Sequence, residues 1–486
     1  MLTNTALGEA KRALAERLLG GRLARTSADD SCISREPCDG PAPLSYHQEQ
    51  VYRHAQTAAN SASDSLLYNE TITIHRLGRL DVAALEWSLT EIVRRHEAWR
   101  TTFHELGGTA VQVVHPASHF ALPAVDLRNL PRTAREHVAS QLALEDLRRP
   151  FNLAQGPLFR FKLVQLADDE YRLFLTAHQI ILDGVSVYHI LLPEIMALYE
   201  AYCGNEPSPL PELAIQCADF SRWQRKREAN SFAGDLAYWR RQLGGHPLRL
   251  DLPTDHPRAS GQSFRGAIEP FAFPKDTSRV LKNFSRNQGV TFFVSTLAVF
   301  TALLHRYTAQ DDIILGTLAP TRDHPAVQRL LGYFLNPVPL RLDLSGDPSF
   351  LDLLQRTRDV VLGALSHSTL PFHLLVEEFK PGPDPSRNPL YQVQFSQEPP
   401  MPPLSSGWDL TPMDFESGGA KLDLYFLVDD RPDGILGRVQ YNPELFERTT
   451  IRRLVRHYDA MLQAIVANPW QQLTKLPYFS LQSRFA

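Results

Sequence analysis

Cysteine is scarce. The 486 residues hold four, Cys32, Cys38, Cys203 and Cys217. None sits at metal-ligand spacing, and four in this length make no disulfide framework, so they read as free thiols. Lysine is also scarce, eight against forty-two arginines. No charge of one sign dominates: Lys+Arg is 50, Asp+Glu is 54, and the net charge is −4. The two signs are mixed along the chain, which excludes the electrostatic footprint of a nucleic-acid binder. There is no long hydrophobic run. The longest nearly apolar stretch, 292–304, is broken by Ser295 and Thr301 and is too short to span a bilayer. The first residues lack a charged-then-apolar signal pattern, so a cytoplasmic protein without membrane attachment is expected. Seventeen histidines include no HExxH pair, which argues against a zinc hydrolase. GxSxG, Walker A and GxGxxG are missing, so no nucleophile elbow or phosphate loop is present and the chain does not itself activate substrates with ATP. A short-period repeat is also missing, which excludes a solenoid.

What remains is a globular composition, 43% hydrophobic and 21% charged. The length suggests two to four domains or two large lobes. Residues 8–25 carry leucines at helical spacing among basic residues, and 26–43 have linker composition. A frayed terminus and a docking helix are both open readings. Beyond, helices and strands alternate. Helical periodicity marks 80–96, 291–305 and 348–367. Alternation marks strands at 71–75, 110–114, 171–179, 312–318, 338–344, 392–396 and 424–428. The stretch 219–257, with Trp223, Trp239 and a Pro/Gly-rich turn, reads as the crossing between two mixed α/β halves.

One segment carries chemistry. At 176–186 an apolar strand ends on His178 and Gln179, three apolar residues follow, then Asp183, Gly184 and a helix from about Ser186 to Tyr202. Strand-to-helix junctions present side chains at a sheet edge, where a ligand can reach them. Gly184 permits a tight turn, and Asp183 can bond locally or pair with an arginine.

This segment resembles the HHxxxDG signature of nonribosomal peptide synthetase condensation domains. Six further stretches resemble that family's motifs, in order: LSYHQEQVY (44–52), RHEAWRTTF (95–103), ADFSRW (218–223), GYFLNPVPLR (332–341), LPF (370–372) and SRNPL (386–390). Pro337 stands where the family usually has Thr. The resemblance implies an α/β (α+β) fold of two chloramphenicol-acetyltransferase-like lobes in a V-shaped pseudo-dimer. It implies a tunnel between them with the signature at its middle. On this reading 1–40 is a docking helix and linker, 41–222 the first lobe, 223–474 the second, and 475–486 the start of a linker to an adenylation domain. Candidate catalytic residues are His178, Gln179, Asp183 and Gly184. Arg341, as partner of Asp183, and Arg100 are the expected structural supports, and Ser186, Asn336 and Ser386 the expected tunnel residues.

The family's reaction joins a donor acyl or peptidyl thioester to an acceptor aminoacyl thioester. Both ride on phosphopantetheine arms of carrier proteins, and the chain itself binds no cofactor. The expected partners are an upstream donor carrier on a separate polypeptide, a downstream acceptor carrier and an adjacent adenylation domain. Residues 476–484 (LPYFSLQSR) look like the linker that precedes such a domain. The HQxxxDG variant is similar to condensation domains of polyketide–peptide hybrid lines.

The departure from the family is Gln179, where the second, catalytic histidine is usual. Glutamine accepts no proton at useful pH but donates and accepts hydrogen bonds. A general base contributes about 10²–10⁴-fold. An α-amino group of pKa about 7.7–8.0 is already roughly a tenth or more free base near neutral pH. Two tethered reactants gain roughly 7–11 kcal/mol at best from proximity. A slower amide synthase and a silent carrier-docking platform are therefore the two readings. Ester formation is disfavoured because a hydroxyl needs the missing base far more. Cyclisation is disfavoured because heterocyclising relatives carry Asp in place of His178.

Overall fold

The helix Phe292–Thr308 shows how the second half is built. Thr291 caps it, its side chain accepting from Val294 N, and residues 294 through 304 are all buried. A helix apolar on every side belongs in the centre of a core. It ends where Ala309 turns left-handed (φ 54°) and donates its N–H to His305 O. The helix Phe350–Ser366 packs beside it and starts at a reciprocal Ser349–Asp352 capping box. These elements belong to a computed structural model that describes residues 32–36, 40–58, 66–226, 232–245, 249–380, 384, 386–401, 404–405, 407–412 and 415–477. The helix expected over 8–25 lies outside the described residues, as do 478–486 of the linker.

The strands are, in chain order, β1 (Ala42–Pro43), β2 (Asn69–Leu77), β3 (Thr101–Leu106), β4 (Thr109–Val114), β5 (Ala124–Asp126), β6 (Phe159–Ala167) and β7 (Glu170–His178). The second half adds β8 (Ala267–Pro274), β9 (Asp312–Pro320), β10 (Leu335–Asp343), β11 (Val393–Gln397), β12 (Trp408–Pro412), β13 (Leu424–Arg431) and β14 (Gly434–Tyr441). They form a six-stranded sheet, β10-β9-β11-β13-β14-β8, a five-stranded sheet, β12-β2-β7-β6-β5, and a small β1-β4-β3 sheet. Both large sheets are mixed: β11 runs parallel to β9 and β13, and β5 runs parallel to β6.

The two larger of three hydrophobic cores match the two halves, with exchanges. Val327, Leu330, Leu331 and Phe334 join the first core. So do Trp408 and Leu410 of β12, which pairs antiparallel with β2 from Trp408↔Arg76 to Pro412↔Ile72. A division at 222/223 therefore does not hold as drawn, because the chain returns to the first sheet to pair with β2.

Prolines fall where sheet geometry allows them. β10 contains Pro337 and Pro339, and β8 contains Pro270 and Pro274. Both are outer strands, and with the prolines two residues apart in β10 and four apart in β8 the missing N–H groups of each strand lie on the same, unpaired side. Pro337 in place of the family's Thr is thus accommodated without loss of a ladder bond.

Candidate active site

β7 and β2 pair in full register, from Leu77↔Glu170 to Asn69↔His178. The signature begins where this ladder ends. Gln179 N donates to Tyr68 O at 2.8 Å, which fixes the backbone of the next turn. Gln179–Ile181 form one 3-10 turn, and a helical segment starts at Ser186. Its first turns, Ser186–Leu191, are π-helical before the α-helix Leu192–Cys203. The ladder widens where Pro193 has no N–H to give.

The two residues at the strand end go different ways. His178 is buried, and its Nδ1 accepts from Ile180 N at 3.2 Å. Its ring packs on Tyr68, centroids 5.6 Å apart. Burial, with a smaller push from Lys421, pulls its pKa down to about 3, so the imidazole stays neutral and structural. Gln179 lines a cavity of about 850 Å³ between the two large sheets. Its Oε1 accepts from Lys421 Nζ. An ammonium only donates, so the amide oxygen must face Lys421 and the amide NH₂ faces away from it.

Asp183 is held by Arg322, not by Arg341. Arg322 Nη2 donates to Asp183 Oδ1 at 3.0 Å and Oδ2 at 3.1 Å, and Nε adds a bond at 3.3 Å. Phe334 N and Ser186 N complete the carboxylate's shell at 3.0 and 2.7 Å. Arg322 also donates to the carbonyls of Val327 and Leu330 and stacks over the Phe334 ring. This network joins the signature loop of the first half to 322–334 of the second. Arg341 instead pairs with Asp312, Nη2 to Oδ2 at 2.7 Å. It shares a face of β10 with Leu335 and Pro337, which line the cavity. Four residues past Pro337 is about 13 Å farther along the strand. Position in the motif misleads, because the motif runs out of the cavity.

The other expected residues divide similarly. Gly184 lines the cavity, but its φ is not left-handed. The approach there is close: a Cβ would lie 3.1 Å from Glu398 Oε2 and 3.2 Å from Pro399 Cδ, so a side chain fits only if these neighbours give by a few tenths of an ångström. Ser186 does not line the tunnel. Its hydroxyl donates to Gly332 O and accepts from Arg322, within the Asp183 network. Asn336 does not line it either. One residue from Leu335 and Pro337, it takes the opposite face of β10. Asn336 Nδ2 donates to Ser368 O and Leu370 O, and its Oδ1 accepts from Phe372 N. It thereby sets the helix Phe372–Phe379, whose Phe372, His373 and Val376 do line the cavity. Ser386 folds back on Asp384 and offers its carbonyl to Arg258, beside a separate small pocket, while Asn388 and Pro389 reach the cavity. Arg100 does not support the site: it bonds Glu97 and the carbonyl of His115 at the β3–β4 hairpin. Its neighbour His96 matters more. Nδ1 accepts from Leu331 N, so Nε2 carries the proton and donates to Glu194 at 2.8 Å, another tie between the halves.

Six charged cavity residues escape the motif reading, namely Arg53, Glu70, Glu377, Glu398, Lys421 and Arg438. Each lies outside the recognised stretches. Lysine's scarcity and the placement of Lys421 before an apolar strand were the available signal, since buried lysines are rare. Burial raises Glu398 from 4.5 to about 7, against the pull of Arg438 at 3.3 Å. For an acid whose folded pKa is raised, the native state holds its proton more tightly than the unfolded chain. The penalty is absent below pH 4.5, grows through the window to 7 and is complete above it. Glu398→Gln, which removes this titration, is expected to gain stability over wild type as pH rises from 4.5 to 7, by up to about 3 kcal/mol. Melting temperatures of both proteins across pH 4–8 check this, and a pH-independent difference would refute it.

Among the described residues no group of three or more His, Cys, Asp or Glu is placed to hold a metal ion, and no single helix is long and apolar enough to cross a membrane.

Two facing mixed sheets, a cavity between them and an Asp-centred loop at its wall define the class. The condensation-domain family model matches residues 39–484, and the chain belongs to that family. One component of the linear gramicidin synthase of Brevibacillus parabrevis is 39% identical over 453 residues, 92% of this chain and 6% of that protein. Phosphinothricin tripeptide synthetase PhsC of Streptomyces viridochromogenes is 35% identical over 485 residues, 97% of this chain and 43% of that protein. The chain thus spans under half the length of either protein. Among solved structures, the SgcC5 protein of Streptomyces globisporus matches with a TM-score of 0.77 and 28% identity, over 88% of this chain and 100% of that one. The X-domain from teicoplanin biosynthesis matches at 0.77 and 25%, over 92% and 100%. The mixed α/β architecture is that of condensation domains.

Proposed function

We propose that this chain forms an amide between a donor acyl or peptidyl thioester and an acceptor aminoacyl thioester, each presented on the phosphopantetheine arm of a carrier protein. The observation that carries the reading is the Gln179 amide, held on the cavity wall with its oxygen engaged and its NH₂ turned from Lys421. A thioester carbonyl beside that NH₂ gains a donor as the tetrahedral oxyanion develops, and a fixed donor is worth most at that moment. The acceptor amine supplies its own lone pair near neutral pH. Asp183 has its acceptor sites filled by Arg322 and two backbone N–H groups, so its role here is to hold the loop. The donor is delivered by one carrier protein and the acceptor by another. The acceptor carrier and an adenylation domain follow downstream, as synthetase relatives of this family suggest.

The opposing reading is a docking platform without chemistry. A complex of the X-domain with OxyB, 27% identical to this chain, is one case of this fold seated on another protein. The test is reconstitution with donor carriers bearing acetyl, octanoyl or alanyl groups and acceptor carriers bearing each proteinogenic aminoacyl group, read by mass spectrometry of the acceptor arm. An amide on the acceptor carrier is the expected product. No product from wild type with any pair, together with product from Gln179→His, would overturn the reading.

A further inference from the structure

The cavity contains an amine that the chain itself supplies. Lys421 sits three residues before β13, and its carbonyl is gripped by Gln262 Nε2 at 3.3 Å and by Asn388 Nδ2. Its side chain crosses the face of Tyr68, with Nζ 4.1 Å from the ring centroid, and ends on Gln179. Nζ is thus delivered to the one residue that stands where the family's catalytic histidine is usual. We propose that Lys421 is the proton acceptor in amide formation, serving from the opposite sheet in the place of the missing histidine. This rests on the amide-forming reading above and adds the group that moves the proton.

The surroundings suit a lysine that loses its proton. Burial lowers Lys421 to about 8, and Glu70 on β2 pulls the other way. The facing imidazoles add no positive charge: burial lowers His54, on the helix Tyr46–Ala58, to about 4, and His178 to about 3. Tyr68 is raised by burial and stays a neutral phenol. Arg438, on β14, donates to Glu398 Oε1 at 3.3 Å. A base is most effective when its pKa lies near the working pH. The neutral amine still has two N–H groups, so Lys421 keeps its bond to Gln179 while its lone pair is available.

The step balances without another reactant. The acceptor's free amine attacks the thioester carbon, the C–N bond forms, and the carbonyl electron pair moves to oxygen beside the Gln179 amide. The nitrogen now carries a surplus proton, which passes to neutral Lys421. The oxyanion collapses, the C–S bond breaks, and the departing thiolate takes the proton back from the Lys421 ammonium. Amide and thiol leave, and the lysine is again neutral.

The experiment is single-turnover amide formation by the full chain, using the carrier pair that reacts fastest in the panel above, as a function of pH. Wild type needs two neutral amines, so log rate is expected to rise with slope 2 below pH 7. Lys421→Met is expected to fall about 10²–10⁴-fold and to show slope 1, from the substrate amine alone. Lys421→Arg keeps a cation and its donors but cannot give up its proton, and is expected to match Lys421→Met. Trace acetylation of wild type with acetic anhydride, quantified by mass spectrometry, is expected to give a Lys421 midpoint near 8. A slope of 1 in wild type, full rate in Lys421→Arg, or a midpoint above about 10 overturns the assignment while amide formation stands. A wild type that makes no amide from any pair overturns the amide reading, and the assignment with it.

Discussion

Arg322→Met is expected to destabilise the domain by about 3–5 kcal/mol, the loss seen when one partner of a buried ion pair is removed. Asp183 is 2% exposed and Arg322 8%. Once the guanidinium is gone, the carboxylate keeps only the N–H groups of Phe334 and Ser186, and the carbonyls of Val327 and Leu330 lose their donor. Arg341→Met is the matched control. Its partner Asp312 has a side chain 45% exposed, and pairs of that kind contribute about 0–1 kcal/mol. Urea denaturation of the two variants measures the contrast. Equal losses would contradict the assignment of Arg322 as the partner that matters.

The second large effect is on rate. Gln179→Ala is expected to slow single-turnover amide formation by about 10²–10³-fold, the size of effect found when one oxyanion donor is deleted. The variant also frees Lys421 from its only hydrogen-bond acceptor given by a side chain among the described residues. The fold should be untouched, because the Gln179 backbone keeps its bond to Tyr68 O and the side chain lies at a cavity wall. Equal melting temperatures with a rate lowered as stated support the donor role. Unchanged output of a reconstituted assembly would instead favour a domain that only docks carriers.

Local pattern is readable wherever local energetics decide. The strand expected at 171–179 is Glu170–His178, and the helix expected at 291–305 is Phe292–Thr308. Both have runs of apolar residues whose period matches one structure. The readings fail where distant chain decides. β14 contains Gly434 and Gly437, poor strand formers, yet Gly437 is required because a Cβ there would meet the Phe271 ring at 2.2 Å. β8 hides behind two prolines that only an outer strand tolerates. In the site, motif membership locates Gln179, Asp183 and Gly184 at the cavity. It does not distinguish faces of β10, so Asn336 reads as a tunnel residue although it alternates away from Leu335 and Pro337. Arg322 and Lys421 lie 139 and 242 residues from their partners, beyond any pattern of period or spacing.

The return of β12 to the first sheet bears on how such domains can be recombined. β2 is nine residues long, and its strand partner on the outer side among the described residues is Trp408–Pro412, with one further bond from Leu77 N to Gly407 O. An exchange of lobes between synthetases with a single junction at residue 222 would replace that cover with a foreign strand, or remove it. A nine-residue edge left bare in this way is a template for intermolecular pairing. The unit of exchange that keeps the sheet closed therefore has three junctions rather than one: the crossing near 222, and one on each side of 408–412.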